Sequence, residues 1–304
     1  MQQVTTVADA SAHAQATAHA APSAYIGLMK PHVTVLLLGV TLAAMVVAQG
    51  GFPPLVLTLA TLLGGAMAAG SANAINCYWD RDIDLLMSRT RGRALPAGRI
   101  PDTHALAFGL ALGAASFAVL ATFVNLLSAL LALAAIVFYV CIYTMWLKRT
   151  TPQNIVIGGA AGAVPVLVGW AAVTDTVGLP AILMFLVIFL WTPPHFWALS
   201  LVLKKDYARA GVPMLPVVRG ERETHRQIIV YTVLLLAGSL ALTFTGAMGT
   251  FYFVTALALG LALLALSVWL AVAPSLKHAR TMFWFSNYYL ALIFAVMVID
   301  RALH

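Results

Sequence analysis

Charge is what this chain has least of. Asp, Glu, Lys and Arg make up 9% of its 304 residues, against about 25% in an ordinary soluble domain. So few charges cannot solvate a globule of this size, which excludes a water-soluble fold. Cysteine is almost as scarce. Cys77 and Cys141 supply neither a disulfide framework nor a CxxC metal spacing, and both read as small buried apolar residues. The first 24 residues lack Lys and Arg altogether. That excludes the basic start of a secretory signal and the Arg-rich composition of a mitochondrial transit peptide. Residues 1–24, with His13 and His19, read as a disordered cytoplasmic tail, and 25–304 as one membrane domain.

What the chain has in excess is apolar sequence, 62% of its residues. A helix needs roughly 20 apolar residues to cross a hydrocarbon core of about 30 Å. Runs of this kind lie at 33–50, 54–75, 104–124, 126–147, 154–173, 179–201, 227–247, 250–273 and 283–300. The fold class is therefore all-α, a polytopic bundle of nine transmembrane helices in lipid. The basic residues test that count. With nine spans, 16 of the 17 Lys and Arg residues fall on one side and Arg301 alone on the other. A miscount of one helix would scatter them over both faces. The positive-inside rule puts the rich side, and the N-terminus, in the cytoplasm. The formal charge of +7 is thus a topology signal, and no nucleic-acid partner is expected.

Polar residues gather at the end of the second run, in Asn73-Ala-Ile-Asn76-Cys-Tyr-Trp-Asp80-Arg-Asp-Ile-Asp84. Asn76, Asp80 and Asp84 are spaced i, i+4, i+8, and Asn73 precedes Asn76 by three, so a continuous helix projects all four from one stripe. Like charges four apart repel, and two carboxylates at a membrane surface ask for a cation between them. Oxygen ligands without His or Cys suit Mg²⁺, which is usually held by one or two carboxylates plus substrate phosphates. Arg89 and Arg93 follow closely, and Lys148 and Arg149 open the connector after the fourth run. Guanidinium forks bind phosphate oxygens in pairs. Acids for a metal, bases for phosphate and an apolar bundle behind them point to a lipid-like diphosphate. The competing reading is that these residues only pair as surface salt bridges. Asp82, on the opposite helix face, and Asp102 fit that reading better.

A second cluster closes the sixth run: Trp191-Thr-Pro-Pro-His195-Phe-Trp, then Lys204-Lys205-Asp206-Tyr207. The paired prolines are expected to kink or break the helix. A polar residue at membrane depth is a functional candidate, so His195 reads either as a cofactor contact or as a histidine satisfied by a freed carbonyl. Tyr78, Trp79, Tyr143, Trp146 and Trp191 are candidates to stabilise a cation with their faces.

These segments resemble the two polar motifs of the UbiA superfamily of intramembrane prenyltransferases. The likeness is strongest to its haem-farnesylating branch. It is carried by Asn76-x3-Asp80-x3-Asp84, Met87-x-Arg-Thr-x-x-Arg93, Lys148-Arg-x-Thr-Pro-x-Asn154, Thr192-Pro-Pro-His-Phe-Trp197 and Asp206-Tyr-x-x-Ala-Gly-Val-Pro-Met-Leu-Pro216. The resemblance implies nine helices around a central cavity. It implies transfer of farnesyl from farnesyl diphosphate to the vinyl group of haem B, giving haem O, or the same chemistry on another aromatic or tetrapyrrole acceptor. It further implies Mg²⁺ on Asn76, Asp80, Asp84 and Asp206, and diphosphate clamps at Arg89, Arg93, Lys148 and Arg149. His195, Asn73, Lys205 and Tyr207 are the candidates for cofactor binding, with His195 at the haem end, where Phe196 and Trp197 could pack on the macrocycle. The implied location is a bacterial inner membrane with the active-site loops in the cytoplasm. The implied partners are haem A synthase or oxidase-assembly proteins. Two positions depart from the family pattern. Lys205 stands where another acid is usual, and His32 where Arg is usual after Lys-Pro.

Overall fold

A computed structural model of the chain describes residues 22–303. Most of the expected N-terminal tail, including His13 and His19, lies outside the described residues. Pro22–Leu28 is already helical, with Ala24 buried against the bundle. Among the described residues nine helices are long and apolar enough to cross a bilayer. They are span one Pro31–Gln49, two Leu55–Trp79, three Asp102–Phe123, four Leu126–Thr150, five Asn154–Thr174, six Leu179–Val202, seven Gly220–Thr245, eight Thr250–Val272 and nine Leu276–Leu303. Each apolar run of the sequence became one span. Spans seven and nine begin about two turns earlier than their runs. Hydropathy marks only the lipid-facing length, while backbone hydrogen bonding continues through the polar turns with Glu221 and Arg222 or Lys277 and Arg280.

Spans one to five pack in chain order, and span five returns to span one. Spans six to nine form a second group, joined to the first where span six meets five and span nine meets one. The largest apolar core lies in this second group, around Met184, Leu235, Tyr252 and Tyr289. Gly50 ends span one at φ 75°, a left-handed conformation that costs glycine nothing. Gly65, Ala68 and Ala72 of span two keep side chains short on its inner face, where a cavity of about 180 Å³ lies between spans one, two, four and five. Span four is not α-helical throughout: before a last α turn at Lys148–Thr150, Phe138–Leu147 winds as a π-helix, a form that concentrates at functional sites.

Two expectations are corrected. Cys77 is buried, but Cys141 is exposed on the outside of the bundle, where lipid accepts a small thiol as readily as a protein core does. Pro193 and Pro194 do not break span six, which runs unbroken from Leu179 to Val202.

Candidate active site at the basic end of the bundle

Span two stops at Trp79, and the short helix Arg81–Leu86 continues it after one non-helical residue, Asp80. The Asp84 amide still donates to the Asp80 carbonyl at 2.8 Å, so the expected stripe survives. Asn73, Asn76, Asp80 and Asp84 are all buried, with Asp80 only 1% exposed. Buried charges must be paired, and here each is. Asp80 Oδ2 accepts from Lys148 Nζ at 2.5 Å and from Asn76 Nδ2 at 2.7 Å. Arg93 Nη1 donates to Asp84 Oδ2 at 2.8 Å. Burial opposes the charge of Arg93, but the Asp84 carboxylate outweighs it and holds the guanidinium above its usual pKa.

Lys30 is one of the 16 basic residues that the sequence puts on the rich side. It sits at the start of span one with φ 51°, and its Nζ donates to Asn76 Oδ1 at 2.7 Å. Burial pushes its pKa down, against the pull of Asp84 and Asp80. His32, the departure from the family pattern, is exposed, and the inward-facing cation is Lys30. Asn76 Nδ2 also reaches Thr144 Oγ1 at 3.1 Å, and Thr144 donates in turn to the Tyr139 carbonyl five residues back. The π-helix thus brings Thr144, Tyr139 and Tyr143 to the carboxylate stripe. Only a contact between distant segments could have revealed Lys30 and Thr144.

Arg149 is engaged elsewhere. Its two terminal nitrogens meet the two oxygens of Asp82 at 2.8 Å each, and that hydrogen bonding holds Asp82 down to about 2. The pair persists as pH falls until the folded-state value near 2 is crossed, so it is fully charged at any physiological pH. Asp82 and Asp102, which pairs with Arg81, are the solvated partners the sequence implied. Arg149 also lies 3.7 Å from Asp80 Oδ1, which ties the Asp82 pair to the carboxylate stripe.

Across the mouth lies the connector after span six. Asp206 accepts from the Ser88 amide and hydroxyl and from Arg209 Nη2 at 2.6 Å, and Arg209 Nε donates to the Leu86 carbonyl. These bonds latch the two connectors together. Among the described residues no three His, Cys, Asp or Glu side chains converge on one point. Asp206 therefore does not complete a protein-only metal cage with Asp80 and Asp84. Tyr207 is buried, which raises its pKa, with the Arg89 guanidinium beside it opposing the rise. Lys205 is exposed.

The oxygens present suit a divalent ion shared with a ligand. Asp80 Oδ1 is buried with no hydrogen-bond partner, and Asp84 stands one turn away on the same stripe. Directly below, Asn73 and Tyr139 belong to the wall of the apolar cavity. Asn73 Nδ2 is spent on the Met29 carbonyl.

His195 lies between spans six and nine. Trp191 covers one ring face at 4.2 Å and Phe283 the other at 4.7 Å. Ser286 Oγ donates to the Phe283 carbonyl, so it must accept from His195 Nδ1 at 2.8 Å. That assigns the proton to Nδ1 and the lone pair to Nε2. The partner is thus a serine hydroxyl, not a carbonyl freed by the prolines. Trp197 is 1% exposed and packs edge-on against Tyr231, so it cannot cover a macrocycle. Trp146, 58% exposed, faces outward with Trp79, and Tyr78 lies under Arg81. Of the aromatics named from sequence, Tyr143 stays beside the carboxylates, and Tyr139 joins it at 5.3 Å.

A polar, cation-ringed mouth over an apolar cavity can hold a diphosphate with its tail in the bundle. Comparison with known proteins agrees. The chain is 55% identical over 278 residues to the protoheme IX farnesyltransferase of Symbiobacterium thermophilum, covering 91% of this chain and 93% of that one. Its fold matches a digeranylgeranylglyceryl phosphate synthase structure with TM-score 0.77 at 17% identity, over 93% of this chain and 99% of that one. It also matches a UbiA homologue from Archaeoglobus fulgidus, bound to GPP and Mg²⁺, with TM-score 0.65 at 19% identity, over 90% and 99% of the two chains. Residues 37–293 match the model of the UbiA prenyltransferase family, and this chain belongs to that family.

Proposed function

We propose that this chain transfers farnesyl from farnesyl diphosphate to the vinyl group of haem B, giving haem O. The observation that carries the reading is the buried Asp80–Asp84 stripe, ringed by Lys30, Arg93 and Lys148, at the mouth of an apolar cavity. The relative from Symbiobacterium, named for this reaction and aligned over nearly both whole chains, supports the acceptor. The excess of Lys and Arg at the basic end supports a cytoplasmic position for it, and the bacterial relatives support an inner-membrane location. Haem O made there is a substrate for a haem A synthase or an oxidase-assembly partner.

Asp80 and Asp84, with diphosphate oxygens, would hold Mg²⁺; the Archaeoglobus homologue is bound to GPP and Mg²⁺. Asn76 aims Asp80 through its amide, and its oxygen, which accepts from Lys30, keeps a second lone pair for the ion. Bound there, Mg²⁺ supplies Lewis-acid neutralisation of the departing pyrophosphate. Lys148, Arg93 and Lys30 add fixed positive charge where negative charge develops, with no reorganisation at the moment of reaction. Arg89, at the exposed rim beside Tyr207, meets the diphosphate from the other connector. The cavity excludes water from the allylic cation, and the faces of Tyr139 and Tyr143 stabilise it. The vinyl group attacks the farnesyl C1, and water captures the cation left beside the macrocycle.

Membranes containing the protein, given farnesyl diphosphate and Mg²⁺ with haem B or with other aromatic and tetrapyrrole acceptors in competition, test the acceptor. Mass spectrometry should find the farnesyl group on haem B. Preference for another acceptor would replace haem in this reading and leave prenyl transfer standing.

His195 is assigned to the haem side, acting through Nε2. His195→Ala should weaken haem binding about tenfold or more, the loss of one good contact, and leave Mg²⁺-dependent farnesyl diphosphate binding nearly intact. Haem titration of purified variant beside its melting curve checks this. Normal haem affinity with a lowered melting temperature would make His195 a packing residue only.

A further inference from the structure

The first turn of span five holds a buried side chain with no hydrogen-bond partner among the described residues. Asn154 is 0% exposed, and neither its Oδ1 nor its Nδ2 has a hydrogen-bond partner. A carboxamide stripped of water and left unpaired is destabilising, so buried ones are paired as a rule. The same helix shows what Asn154 faces. Positions i, i+4, i+7 and i+11 share one stripe, here Asn154, Gly158, Ala161 and Pro165. Ala161 and Pro165 line the apolar cavity. Gly158 lies flat against the Tyr143 ring, which any Cβ there would overlap. The next residue, Ile155, packs with Ile83, Met87 and Tyr207 on the polar cap. Asn154 therefore stands between the cavity-lining part of span five and the cap, one turn from the contact with Tyr143, the ring assigned above to the cation.

We propose that Asn154 is a positioning residue for the water molecule that captures the carbocation on the acceptor, an inference that rests on the haem-farnesylating reading. The overall step needs one water and no redox partner. The C1–O bond of farnesyl diphosphate breaks, and its electron pair leaves with pyrophosphate. The vinyl π pair forms the new C–C bond, which leaves a cation on the carbon attached to the macrocycle. A lone pair of water forms the C–O bond there, and the proton passes to pyrophosphate. Without a held water, the same cation loses a proton from the neighbouring carbon and gives an alkene. A carboxamide suits the task. Its N–H donates to the water oxygen and its carbonyl accepts one O–H, the two polar partners a buried water needs.

The test is product partition by the full-length, detergent-purified protein given haem B, farnesyl diphosphate and Mg²⁺ in ¹⁸O-water. The wild type should give a hydroxylated product carrying ¹⁸O. If it gives no farnesylated haem, the underlying reading fails before this inference is reached. Asn154→Leu should still join farnesyl to haem, with the ratio of hydroxylated product to the alkene one water lighter falling about tenfold or more, the loss of a hydrogen bond at the capture step. Asn154→Asp, which keeps an acceptor, should retain hydroxylation. Because no group among the described residues bonds this side chain, the apolar isostere should melt at or above the wild-type temperature. An unchanged product ratio would overturn the proposal, as would a raised haem KM at that ratio. So would an Asn154→Leu protein that melts early or fails to fold, since either reveals a structural role.

Discussion

Asp80→Asn is expected to abolish farnesyl transfer while leaving a folded, inserted protein. Asp80 is the point on which the mouth converges. One oxygen meets Lys148 and Asn76, and the other, without a hydrogen bond, lies 3.7 Å from Arg149. The substitution keeps the shape and removes the charge that both the cations and a divalent ion need. Losing one preorganised electrostatic contact at a transition state costs about 10²–10³ in kcat. Here the cation network loosens as well, so a fall of at least about 10³ is expected, with kcat and kcat/KM falling together. Lys148 is partly exposed and can find water, which keeps the folding cost small. Asp82→Asn, on the exposed face, should cost less than about tenfold, as exposed ion pairs do. Turnover assays across an Mg²⁺ titration check both. Near-normal turnover of Asp80→Asn at limiting Mg²⁺ would remove Asp80 from the metal site.

Gly162→Leu is the second large effect, and it acts without touching a charge. Gly162 lines the cavity, and a Cβ built on it meets nothing within 4 Å. The new side chain therefore starts into open space at its Cβ and extends into the cavity that Gly162 lines. Leucine also favours the helix interior over glycine by roughly 0.7 kcal/mol, so the fold should hold. The lost space is that of about one isoprene unit. At about 0.8 kcal/mol per buried methylene, five carbons amount to about 4 kcal/mol, or roughly 10³ in kcat/KM for farnesyl diphosphate. Dimethylallyl diphosphate should lose far less, and that reversal of chain-length preference is the readout. Equal loss for both substrates would mean that the prenyl chain lies outside this cavity.

Much of this arrangement could be read from residues alone, for physical reasons. Lipid admits few alternatives to a helix, so apolar runs fixed the number of spans, and the basic residues checked it. The i, i+4 spacing of Asn76, Asp80 and Asp84 put them on one stripe because helical geometry is local. Periodicity does not say which distant segment meets that stripe. Lys30, Thr144 and the π-helix of span four therefore emerged only in three dimensions. The same limit applies to the partners of Arg149, which pairs with Asp82, and of Asp206, latched to Ser88 and Arg209. Trp197 and Cys141 were assigned by residue type. Type says that a side chain is apolar, but leaves open whether it faces core, cavity or lipid.

The central claim is that one Mg²⁺-dependent mouth delivers farnesyl from the cavity to haem. Purified protein given haem B and deuterium-labelled farnesyl diphosphate, with Mg²⁺ or with chelator, tests it in one mass spectrum. The account predicts a haem product carrying the intact labelled chain, released with one pyrophosphate per product and lost when Mg²⁺ is removed. Labelled farnesyl on haem at an undiminished rate in chelator would contradict the claim, as would cleavage of the diphosphate with no label on haem.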